Sequence, residues 1–128
     1  MLSYTKIIMP EDQTIEMQAI NALRELSPDA GQEFLRELIQ IFLQDTPQRI
    51  VELEEALAKN DIPSFTRAAH TIKGSSSNFG ATKFTKLAHQ MEMQGKSGDL
   101  SDSAASYRKL KSEYLLVGQA LNKISQGV

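Results

Sequence analysis

Between Tyr107 and Ile124, large apolar side chains recur at Leu110, Tyr114, Val117 and Leu121, so the interval alternates between three and four residues throughout. Only an α-helix brings such positions onto one stripe, and a stripe of this kind has to be buried against something. The same interval returns in Phe65, Ala69, Ile72, Ser76 and Phe79, and more loosely in Leu35, Leu38, Phe42, Ile50, Leu53 and Leu57. Alternating β-branched runs, the mark of a half-buried strand, are nearly absent. A chain patterned in this way folds as helices packed on helices.

Proline and glycine divide the helical stretches. A first helix is predicted over about Thr14 to Leu26, with Ile15, Ala19, Leu23 and Leu26 facing inward and Met17 and Ile20 on the other side. "SPDAGQ" ends it, and a long second helix follows, interrupted at "DTPQ". There Thr46 and Pro47 resemble a helix start, but Arg49 stands where a capping box needs Glu or Gln, so a restart and a proline kink in one helix both fit. "KNDIP" opens a third helix from around Pro63 to Phe79, which Gly80 ends, making a hairpin with a fourth helix that carries Phe84, Leu87 and Met91. The two glycines of "QGKSGD" are expected to stop the fourth, and the last helix begins near Ser101. The expected fold is all-α: an antiparallel four-helix bundle with the additional N-terminal helix as a lid. With 128 residues the chain makes one domain, its first twelve residues irregular.

Fourteen Lys and Arg against sixteen Asp and Glu leave no basic excess to hold a polyphosphate backbone, so nucleic acid is not an expected partner. Without cysteine there is neither a disulfide framework nor a thiolate zinc site. No apolar run approaches the roughly 20 residues of a membrane span, and the start lacks a basic segment followed by a long apolar one. A soluble, cytoplasmic protein is expected, and its initiating Met1 and "SQGV" ending suggest a separate polypeptide.

The stretch "AAHTIKGSSSNFGA", from Ala68 to Ala81, departs from this regularity. If Phe65, Ala69, Ile72, Ser76 and Phe79 point inward, the period places His70, Lys73, Gly74 and Ser77 together on the opposite side. An ordinary imidazole is mostly neutral at neutral pH and keeps a lone pair on one nitrogen, which makes an exposed His70 a candidate nucleophile. Lys73, three residues on, can bring a point charge to an anionic group on that ring. Taken singly, each is ordinarily a solvated side chain. Gly74 changes the balance, because glycine inside a helix costs about 1 kcal/mol relative to alanine and needs a reason. Close packing on another helix is the structural reason, yet the period sets Gly74 beside His70 rather than on the core side. His89 and Glu92, three apart, have a spacing at which two ligands share a metal, but two groups do not fill a shell, so no metal site is expected.

With these residues "AAHTIKGSSSNFGA" resembles the signature of the histidine-containing phosphotransfer (HPt) domain: histidine, two residues, Lys-Gly-Ser, and a turn ending in Leu- or Phe-Gly-Ala. "FLRELIQIFLQDTPQRIVELEEALAKND" is similar to that family's long second helix with its internal proline, and "KLAHQMEMQGKSGD" to the segment after the hairpin. The first twelve residues and the last helix match only in helical character. The resemblance implies that His70 is a phosphoacceptor, taking a phosphoryl group from the aspartyl phosphate of a receiver domain and passing it to another receiver. It implies that Lys73 stabilises the phosphoryl charge, that Gly74 admits the receiver's loops, that Ser75 fills a small packing position, and that Gly80 closes the hairpin. Arg67, Thr71 and Ser77 would border the contact, and Met17 with Ile20 would offer an apolar patch. The partners implied are receiver domains of a hybrid histidine kinase and of response regulators, met by a monomer. The chain itself needs no cofactor, because Mg²⁺ and the acyl phosphate belong to the receiver.

"KGSSS" lacks the Walker spacing, so autonomous ATP-dependent activity is not expected and the chain reads as a phosphocarrier, not an enzyme. None of the helical neighbours Thr66, Arg67, Lys73 and Gly74 is acidic, which favours a relay carrier over a kinase's own phosphoacceptor domain. The alternative is an interaction module that binds a receiver and is never phosphorylated.

Overall fold

The computed structural model describes residues 14–127, so the expected irregular segment 1–12 lies outside the described residues. Among the described residues there are five helices and no strand: α1 (Met17–Glu25), α2 (Gly31–Lys59), α3 (Ile62–Ser77), α4 (Thr82–Ser97) and α5 (Ser103–Ser125). Each of α2 to α5 packs on two neighbours in a ring, α2 on α3, α3 on α4, α4 on α5 and α5 on α2. Short turns reverse the chain at each step, so the result is an antiparallel four-helix bundle. No helix among the described residues is long and apolar enough to cross a membrane.

The expected stripes form the core. Phe65, Ala69, Ile72, Ser76 and Phe79 are all buried, as are Leu110, Val117, Leu121 and Ile124 of α5. Phe42 of α2 lies at the centre of an aromatic group, its ring centroid 5.1 Å from Phe79, 6.5 Å from Phe84 and 6.3 Å from Tyr114. Burying one such ring is worth roughly 1.5–3 kcal/mol, so this group ties three helices and the α3–α4 turn together.

Local chemistry sets the turns. Asn60 closes α2 in the left-handed conformation (φ 51°), and the Asp61 carboxylate then accepts from the Ser64 N–H at 3.2 Å and its hydroxyl at 2.7 Å, capping α3. Those hydrogen bonds hold the Asp61 carboxyl below its usual range. Between α3 and α4, Gly80 adopts φ +66°, and its carbonyl accepts from the Glu16 N–H at 3.0 Å. A Cβ on Gly80 would meet Ala19 and Glu16 Cβ atoms at 2.9 Å, so this glycine serves both the turn and the seating of α1.

Of the two readings of "DTPQ", the single continuous helix is the one observed: α2 runs through Pro47, with Phe42, Thr46, Ile50 and Leu53 buried on either side of it. Core packing through both halves outweighs the carbonyl at Leu43 left without its N–H partner. Helix α1 is shorter than expected, at nine residues; Ile15 and Leu23 pack against the core as expected, but Ile20 is fully buried and Leu26, past the helix end, is exposed. Met17 is half exposed. The proposed Met17–Ile20 surface patch therefore does not exist as a pair.

Gly95 does not stop α4, which runs on to Ser97 and is closed by Gly98 at φ +80°. A Cβ at position 95 would lie 2.1 Å from Thr66 Oγ1, 3.0 Å from Thr66 Cβ and 3.2 Å from its Cα. The Thr66 hydroxyl cannot turn aside without giving up its 2.8 Å bond to the Ile62 carbonyl. Gly95→Ala should therefore destabilise the protein by roughly 1–3 kcal/mol, as overpacking does, despite alanine's higher helix propensity. Urea denaturation of the variant beside wild type measures this; unchanged or raised stability would contradict the close crossing.

Candidate functional site

Helices α3 and α4 touch along their length, in contacts that climb one while descending the other: Thr66 against Gly95, His70 against Glu92, and Ser76 Oγ 2.9 Å from Thr85 Oγ1. This pairing brings an acidic residue to His70. Glu92, whose side chain is only 3 % exposed, places Oε2 at 2.7 Å from His70 Nδ1, while the imidazole itself is 65 % exposed. The carboxylate missing from His70's own helix comes from the next one, so its absence on α3 no longer favours a relay carrier over a kinase's own domain.

Glu92 is the centre of a charge cluster. Lys73 Nζ approaches Oε1 to 2.6 Å as an ion pair, off the line of a hydrogen bond; Lys96 Nζ lies 3.4 Å from Oε2, and His89 Nδ1 3.9 Å from Oε1. Burial pushes the Glu92 carboxyl up, but Lys73, His70 and Lys96 together outweigh it and hold the group down to about 2. An ionised carboxylate can only accept hydrogen bonds. Nδ1 of His70 must then be the donor, and in a neutral imidazole the lone pair falls to Nε2, the nitrogen across the ring from Glu92.

Around this ring the expected neighbours lie where the period put them. Lys73 is partly buried, its charge directed at Glu92; Arg67 is exposed one turn before His70, Thr71 is exposed next to it in sequence, and Gly74 and Ser77 are exposed on the following turns. The hydroxyls of Thr71 and Ser77 bond to the Arg67 and Gly74 carbonyls of their own helix, at 3.0 and 2.9 Å. Gly74 has nothing within 4 Å of where a Cβ would stand. Helix packing therefore does not account for it, and the vacancy opens outward beside the imidazole. His89, expected to be solvated, is exposed but belongs to the edge of the Glu92 cluster.

Sequence reasoning missed Glu92 as a partner of His70. It considered Glu92 only with His89 on the same helix, and the signal that joins it to His70 is the helix register, which the small residue at Gly95 could have suggested.

The Hpt domain model matches residues 37–126, and the chain belongs to that family. That membership, with phosphorelay and phosphotransfer proteins among the relatives, supports a phosphotransfer role in a phosphorelay for this chain. Among characterised relatives, the multistep phosphorelay regulator 1 of Schizosaccharomyces pombe is 24 % identical over 73 % of this chain and 32 % of its own length, so the chain spans about a third of that relative. The pseudo histidine-containing phosphotransfer protein 2 of Oryza sativa is 24 % identical over 90 % of this chain and 78 % of its own. In structure the chain is similar to histidine-containing phosphotransfer protein B of Pseudomonas aeruginosa, with a TM-score of 0.81 at 23 % identity, covering 90 % of this chain and 96 % of that one; at that identity the likeness speaks for the fold.

Two outcomes follow from the geometry. A carboxyl held lower in the folded state than its ordinary 4.5 stabilises the fold fully above that value and loses this contribution as pH falls towards about 2. The stability gap between wild type and Glu92→Gln should therefore narrow over that window, followed by chemical denaturation at a series of pH values; a constant gap would contradict an ionised Glu92. Gly74→Ala should raise stability by up to about 1 kcal/mol, since open space leaves only the helix-propensity gain; a loss would show that the site is crowded.

Proposed function

We propose that this domain is a phosphorelay intermediate in which His70 takes a phosphoryl group from the aspartyl phosphate of one receiver domain and delivers it to the aspartate of another. The observation that carries this is the 2.7 Å contact between the exposed His70 ring and the buried Glu92 carboxylate. It fixes the proton on Nδ1 and leaves Nε2 as the attacking atom. That lone pair forms the N–P bond while the bond from phosphorus to the partner's carboxyl oxygen breaks and its electrons leave with the aspartate. No proton needs to leave the ring, which becomes cationic with Nδ1–H still on Glu92, so the carboxylate stabilises the charge that develops.

In this reading Lys73, one turn from the ring and paired with Glu92 at rest, turns to the phosphoryl oxygens during transfer. Gly74 leaves room beside Nε2 for the receiver's loops, with Arg67, Thr71 and Ser77 on the rim of the contact. The receiver supplies Mg²⁺ and the reactive acyl phosphate, so this chain contributes a positioned nucleophile and a matching surface. In a module that binds receivers without carrying phosphate the Glu92 cluster would serve the fold alone, whereas in a carrier its bond to Nδ1 also sets the attacking nitrogen, which weighs in favour of the carrier.

The test is transfer from a radiolabelled, kinase-charged receiver domain. Wild type should take up an acid-labile, base-stable label and His70→Gln should take up none. Gly74→Ala, folded and with His70 intact, should be labelled more slowly by at least several-fold. A receiver that binds wild type but never labels it would leave the interaction module as the function.

A further inference from the structure

Two lysines from different helices hold the one carboxylate at the site. Lys73 of α3 and Lys96 of α4 lie 2.6 Å and 3.4 Å from opposite oxygens of Glu92. Among the described residues, His70 and Lys73 from α3 and His89 and Lys96 from α4 are the basic groups within 4.0 Å of that carboxylate. A single buried negative charge needs one cation, and here a second stands beside it. The two lysines differ in setting: Lys73 is 28 % exposed and Lys96 58 %, so the inner cation is the one on the helix of the phosphoacceptor ring and the outer one sits a helical turn beyond Glu92.

The transfer step gives the second lysine a task. As the phosphoryl group approaches Nε2, its oxygens draw Lys73 away from Glu92 while the imidazole is still neutral. The carboxylate would then be buried without a cation, which is costly enough to keep Lys73 in place or to protonate Glu92. Either event harms transfer: the first withholds the charge that meets the phosphoryl group, and the second removes the acceptor that keeps the proton on Nδ1. We propose that Lys96 is a positioning residue that holds the Glu92 carboxylate when Lys73 turns to the phosphoryl group, an assignment that presupposes the phosphoacceptor role of His70. The N–P bond forms and the acyl phosphate bond breaks as already described; Lys96 neither gives nor takes a proton. When the phosphoryl group departs to the next receiver, Lys73 returns and the ring is again neutral.

Lys73→Gln, Lys96→Gln, the double variant and Lys96→Arg, each in the full chain, separate this role from a structural one. Carboxyl NMR should show Glu92 still titrating well below the ordinary carboxylate range in either single Gln variant, because one lysine remains, and moving upward in the double variant by more than the two single shifts combined. Transfer from a charged receiver to Lys96→Gln should slow several-fold with receiver binding unchanged, and Lys96→Arg should restore most of the rate. A labelled wild type with an unchanged rate in Lys96→Gln overturns the hand-over alone, as do single shifts that merely add. A wild type that takes up no label overturns the phosphoacceptor role and the hand-over with it.

Discussion

At Thr66 and Gly95 the backbones of α3 and α4 come so near each other that a single methyl group would not fit between them. A second tie, between Ser76 and Thr85, lies near the other end of the pair. With both fixed, the helices cannot slide or rotate against each other, and His70 and Glu92 fall opposite one another between the two ties. A carboxylate on a looser helix would be solvated and would hydrogen-bond to water. Here it is buried, and its bond to the ring has a defined direction.

A buried charge is ordinarily a liability, since its removal from water is repaid only by close partners. Glu92 has such partners from both helices, and the same contacts that make its burial tolerable orient the imidazole. Structural stability and chemical readiness therefore share one set of interactions. The pair of glycines on these helices shows the contrast between the two demands. Gly95 is small because the fold leaves no space, whereas Gly74 is small although the fold leaves ample space. A residue that the protein's own packing does not require is best explained by something outside it.

The regular parts of the fold were legible because periodicity reports burial directly: the stripes of α3 and α5 are buried where three-four spacing put them. The face of His70, Lys73, Gly74 and Ser77 was legible for the same reason, since one helix fixes which residues share a side. Contacts between helices were not. Glu92 reaches His70 across 22 positions of sequence, a relation set by register and not by any local pattern. Gly95 carried that register, but a glycine near a helix end looks like a terminator until the neighbouring helix is in view. In α1, nine residues give too few turns for one stripe to stand out: Ala19 lies against the Gly80 turn while its neighbour Ile20 enters the core, so the packed side is broader than the stripe. At Pro47 the local pattern fitted a restart and a continuous helix alike, and burial along both halves of α2 decides for continuity.

The tautomer of His70 is the most direct test of this account, because it depends on Glu92 being ionised, buried and in register all at once. Nitrogen-15 NMR of the imidazole at neutral pH, in protein labelled at histidine, distinguishes a protonated ring nitrogen from one with a free lone pair. The neutral ring of His70 is expected to carry its proton on Nδ1, with Nε2 unprotonated, and Glu92→Gln to mix the two forms. A wild-type ring protonated on Nε2 would contradict it, since the nitrogen facing solvent would then have no lone pair to attack phosphorus.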